Sequence, residues 1–113
     1  MKKYLALTLI LIVISCKKDQ TITHEVMNFD KQINDTIIPI KGEYYGAKFI
    51  HVVGYVDDSI YVSFGNNYKK HYLSKEIDTT FSTDYYGEDN AIFVFNPHKG
   101  KKGKLNVSFS ISK

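Results

Sequence analysis

Near its C-terminus the chain runs Leu105-Asn106-Val107-Ser108-Phe109-Ser110-Ile111-Ser112. Apolar and polar residues alternate without a fault. That period puts one set on each face of an extended strand and cannot serve a helix, whose apolar positions recur every three or four residues. A strand like this must bury its aliphatic face against another sheet layer and leave its serine face to water. The same period recurs at Ser59 to Phe64, with Ile60, Val62 and Phe64 facing in and Ser59, Tyr61 and Ser63 facing out. Lys48 to Val56 is apolar on both faces and reads as a central strand. Gly54 within it marks a bulge or a close backbone approach.

Turn signals divide the remainder. Asp57-Asp58 reads as a tight hairpin turn and Gly65-Asn66-Asn67 as another. Ile22 to Phe29 alternates in part and reads as an early strand or extended arm. Thr36 to Ile40 is a short strand. Pro39 cannot donate to a ladder, so this strand lies at an edge or ends there. Lys70 to Phe81 fits neither period well and is expected as two short strands with a break near Asp78. Ala91 to Phe95 is a strand closed by Asn96-Pro97. The expected fold is all-β: a small antiparallel β-sandwich or barrel of about seven strands, in one domain over residues 22–113.

Ahead of that domain stand Lys2 and Lys3, then an apolar run from Tyr4 to Ile14. A membrane-crossing helix needs about 20 apolar residues, so this run matches a secretory h-region instead. It ends in Val13-Ile14-Ser15-Cys16, which resembles the lipobox of bacterial lipoproteins. The resemblance implies that the Cys16 thiol takes a diacylglyceryl group. It also implies that signal peptidase cuts between Ser15 and Cys16 and that the new amino group is acylated. Residues 1–15 are then a cleaved, lipoprotein-type signal peptide, and 16–21 a lipidated tether. Two or more acyl chains hold a protein on a membrane where one does not. Lys17-Lys18-Asp19 after the cysteine also resembles lipoproteins of the Bacteroidota. The resemblance implies anchoring in the cell envelope, on the outer membrane, at its periplasmic or surface face.

Cleavage after residue 15 of 113 leaves 98 residues, enough for one modest core. Cys16 is the chain's one cysteine, so the domain holds together without an internal disulfide. Removing Lys2 and Lys3 from 15 basic residues leaves 13 against 12 acidic ones. So balanced a charge gives no electrostatic case for nucleic acid. All the basic residues are lysines, which argues against bidentate clamping of phosphate or carboxylate.

Candidate chemistry is sparse. His24, His51, His71 and His98 lack the close spacing of a zinc site, so no metal and no cofactor are expected. No nucleophile motif is present, and the adjacent acids Asp57-Asp58 and Glu88-Asp89 read as turn residues rather than a carboxylate dyad. No catalytic residue is assigned. Asp84 to Asn90 has oxygen groups suited to calcium, but without the alternate-residue pattern of an EF-hand. His98 to Lys104 is a basic loop. The pairs Tyr44-Tyr45 and Tyr85-Tyr86, each followed by glycine, offer rigid amphipathic contact area for a partner, or one of each pair plugs the core. The expectation is a membrane-anchored envelope lipoprotein acting as a non-catalytic binding module. Its partners are the membrane, through acyl chains on Cys16, and an envelope or secreted protein. Two alternatives stay open: an immunity or inhibitor lipoprotein against a toxin or lytic enzyme, and a glycan- or calcium-dependent ligand-binding module.

Overall fold

A computed structural model describes residues 20–65, 67–86 and 89–112. The signal segment, Ser15 and Cys16 lie outside the described residues. The rest is all-β, with no helix among the described residues. Six strands follow in order: β1 (Gln20–Val26), β2 (Ile33–Ile37), β3 (Ala47–Ser63), β4 (His71–Asp84), β5 (Ala91–Asn96) and β6 (Gly103–Ser112). Every pairing is antiparallel, in the order β1-β6-β3-β5-β2, with β4 on the other edge of β3.

The 17-residue strand β3 organises the sheet. Its first part pairs β6, from Ala47 opposite Ser112 to Val56 opposite Gly103. Its last part pairs β5, from Tyr61 opposite Asn96 to Ser63 opposite Val94. Strand β4 accompanies it along the other edge. The sheet curls until its outer strands meet through side chains: His24 of β1 contacts Asp35 of β2, and Gln20 Nε2 donates to the Ile38 carbonyl at 3.2 Å. The result is nearly a closed barrel.

Six strands replace the expected seven or so because two expected breaks do not occur: β4 is continuous, and Asp57-Asp58 is not a turn. The register with β4 jumps there, from Val56 opposite Lys75 to Ile60 opposite Leu73. Strand β3 bulges, bends and continues. Lys75 meets the bulge in a left-handed conformation, φ 63°, and its Nζ donates to the Asp57 carbonyl at 2.6 Å. The irregularity in β4 therefore falls at Lys75 and not at Asp78, and β4 is one strand. Local composition could not show this, because an acidic pair suits a bulge as well as a turn.

Other boundaries shift. Strand β1 takes in Gln20 and Thr21, which the sequence placed in the tether, and β2 ends at Ile37, before Pro39. Strand β2 does end the sheet order, as an edge strand should. Strand β3 is central, but only one of its faces is fully buried: His51 and Tyr55 on the other face are exposed.

The core forms from the alternating positions. Leu105, Val107, Phe109 and Ile111 of β6 are fully buried with Ile50, Val52 and Val56 of β3 and Phe93 and Phe95 of β5. The Phe93 and Phe109 rings stack at 5.1 Å between centroids. Each such side chain contributes roughly 1.5–3 kcal/mol by leaving water.

Two glycines let β3 and β6 lie this close. A Cβ at Gly54 would sit 2.1 Å from the Lys104 carbonyl oxygen, and one at Gly103 2.1 Å from that of Tyr55. Gly54 therefore marks the close backbone approach expected of it.

Candidate functional site

The β3–β4 turn and the β4–β5 loop stand side by side at one end of the sheet and enclose a cleft of about 500 Å³. Tyr68 N–H donates to the Gly65 carbonyl at 3.2 Å and closes the turn. The cleft lies between Phe64, Asn67 and Tyr68 on one wall and Asp84, Tyr86 and Asp89 on the other, with Asn90 and Ile92 at its margin.

Its floor is Lys48, only 5% exposed although it is a lysine. The alternation of β3 aims this side chain inward with Ile50 and Val52. Its ammonium donates to the Phe64 carbonyl at 3.2 Å. Four rings surround it: Tyr68 at 4.9 Å, Phe64 at 5.6 Å, Phe93 at 5.7 Å and Tyr85 at 5.8 Å. Such distances allow cation–π attraction, worth about 2 kcal/mol where water is excluded. Burial nevertheless pushes the Lys48 pKa below its ordinary 10.5. The lysine ties the turn to the strand and holds the Tyr68 and Tyr85 rings in place.

Each tyrosine pair divides. Tyr45 (4% exposed) and Tyr85 (7%) are core residues, while Tyr44 (87%) and Tyr86 (83%) stand in solvent. Alternation along an extended segment requires this split. Tyr85 O–H donates to the Asp89 carbonyl, and its N–H reaches the Gly46 carbonyl at 3.1 Å. The first of these bonds shapes the β4–β5 loop from within; the second joins it to the segment after Tyr45. Burial, then the Asp89 carboxylate and Tyr45, raise the Tyr85 pKa. Of the four tyrosines singled out from sequence, Tyr85 and Tyr86 line the cleft, whereas Tyr44 and Tyr45 do not. Lys48, Asn67 and Tyr68 were missed as site residues. Lys48 opens a strand, and nothing local shows that it points into the core.

The polar side chains of the cleft are left unused. Asn67, Asp84, Asp89 and Asn90 are exposed, and none makes a side-chain hydrogen bond or ion pair among the described residues.

The histidines lie elsewhere. His51 Nε2 is 3.0 Å from Asp78 Oδ1, but both side chains are open to solvent on the outer face of β3 and β4. His71 stacks on Phe81 at 4.2 Å, and burial, with Lys69 nearby, lowers its pKa. His98 packs against Tyr61 and Tyr72. Among the described residues, no three His, Cys, Asp or Glu side chains gather to hold a metal ion.

No family model matches the sequence, and no curated protein matches it. Among solved structures, the Tobacco streak virus coat protein is similar, at 17% identity over 87% of this chain and 88% of that one, with a TM-score of 0.40.

Proposed function

We propose that the chain is a lipid-anchored, non-catalytic recognition module of the bacterial envelope. Acyl chains on Cys16 hold it to the outer membrane, and the cleft above Lys48 takes a ligand carried by the envelope or by a secreted molecule. The anchor rests on Val13-Ile14-Ser15-Cys16. Recognition rests on one observation: four exposed polar side chains and the rings of Tyr68 and Tyr86 line a single cleft, and the fold employs none of those polar side chains. Ligand sites combine apolar walls with a few polar groups that orient what binds. Polar side chains needed for stability would be bonded within the fold.

Two measurements test the two halves. Metabolic labelling with palmitate should mark the wild type and leave Cys16→Ser unlabelled; equal labelling of both would overturn the anchor. A photo-crosslinking residue at Tyr86 should capture a specific adduct in cells, where the same residue at Tyr55, on the outer face of β3, captures none. Equal capture at both positions, or capture at neither, would overturn the cleft.

A further inference from the structure

From the chemistry of the cleft we infer that its ligand is an uncharged, hydroxyl-rich saccharide, with Tyr86 as the stacking platform and Asn67, Asp84, Asp89 and Asn90 as partners for its hydroxyls. This deepens the recognition reading above and rests on it.

Three features of the cleft narrow the ligand. An anion is disfavoured: two carboxylates, Asp84 and Asp89, line the cleft, and Lys48 is buried beneath four rings with its ammonium bonded to the Phe64 carbonyl. A small organic cation would seek an aromatic cage. The rings that would form one, Phe64, Tyr68, Tyr85 and Phe93, already surround the Lys48 ammonium. A bare metal ion wants several oxygen ligands, and no three acidic or histidine side chains gather among the described residues.

A neutral polyol meets none of these obstacles. A carboxylate accepts from hydroxyls, and a primary amide both donates and accepts, so two acids and two amides match groups that are themselves donor and acceptor. The exposed Tyr86 ring offers an apolar face for the C–H face of a sugar ring, and Tyr68 and Ile92 extend that surface. Tyr85, bonded to the Asp89 carbonyl, and Lys48, bonded to the turn, hold the two walls in position before anything binds.

The test is an NMR titration of the full chain in micelles of a sugar-free zwitterionic detergent. The probes are cellohexaose, chitohexaose, xylohexaose and mannohexaose. At least one should give saturable shifts at the Asn67 and Asn90 side-chain amides and at the Tyr68 and Tyr86 rings. Tyr86→Ala should weaken that probe about tenfold, while Tyr55→Ala, on the outer face of β3, leaves it unchanged. If none of the four shifts the cleft, or if Tyr86→Ala binds as the wild type does, the saccharide assignment falls. If the crosslinker at Tyr86 captures a protein while no sugar binds, the ligand is a protein surface: the saccharide is wrong and the cleft stands. If neither binds, both readings fail.

Discussion

Acidic side chains stand at two places in the fold, and the fold treats them in opposite ways. At the bulge, the Asp57 carboxylate accepts from the Lys101 and Lys102 backbone amides at 2.8 and 3.1 Å. The Ser59 carbonyl accepts from Lys99 and Gly100 at 2.9 and 3.0 Å. The β5–β6 loop is thus fastened to the bend by hydrogen bonds to Asp57 and Ser59. At the cleft, the exposed Asp84 and Asp89 carboxylates accept no hydrogen bond and make no ion pair among the described residues. These three acids therefore do different work. One is part of how β3 turns from β6 to β5; the others are available to something outside the chain.

Substitutions that separate stability from recognition would sharpen this contrast, or break it. The largest effect is expected beside the bulge. Gly103→Ala would force a methyl group against the Tyr55 carbonyl at φ 151°. It should cost roughly 2–4 kcal/mol in urea unfolding, and a cost below about 1 kcal/mol would mean that the β3–β6 contact is loose.

Asp57→Asn comes next. Hydrogen bonds from the Lys101 and Lys102 amides hold the Asp57 pKa below its ordinary 3.8. A lowered carboxylate pKa contributes stability that is complete above the ordinary value and is lost as pH falls through the folded one. The variant should melt lower at neutral pH and approach the wild type in acid. Parallel melting curves across that range would show that the carboxylate does not fasten the loop.

At the cleft floor the sign reverses. Lys48 has a lowered pKa, so the folded state binds its proton less well than the unfolded chain does. The cost of burying that charge is present at neutral pH and is relieved as pH rises through the lowered value towards 10.5. Lys48→Met should stay within about 1 kcal/mol of the wild type at neutral pH, because apolar packing replaces both the attraction and its desolvation cost. The wild type should gain on the variant with rising alkalinity. A constant difference would mean that the ammonium is solvated.

The smallest stability effect belongs to Tyr86→Ala, expected within about 0.5 kcal/mol, since an exposed side chain contributes little to folding. A larger cost would make the exposed tyrosine part of the scaffold and erase the contrast between the two regions.

Much of the architecture was legible in single strands. The alternation of Leu105 to Ile111 identified a strand and its buried face, and Ile60, Val62 and Phe64 did the same. Pro39 marked the edge position of β2. What escaped was continuity. Asp57-Asp58 carries the composition of a turn, yet the chain keeps its direction there because β4 stays paired on one side while β6 gives way to β5 on the other. The candidate site was half legible. The tyrosine pairs are visible in the sequence, but which member of each pair faces the core depends on where the strands lie, and the gathering of Tyr86 with Asn67 and Tyr68 about one cleft depends on how two loops meet.

By itself the sequence determined that the domain is all-β, that alternating residues fill one core, and that no disulfide within the chain can brace it. Periodicity is a local property, and a single cysteine cannot pair with itself. Only the tertiary structure decided that β3 bends instead of reversing, that Lys48 lies under four rings, and that four polar side chains face a common cleft. Those outcomes rest on contacts between segments far apart in the chain. No local pattern carries them, because which loop lies beside which is set by the pairing of whole strands.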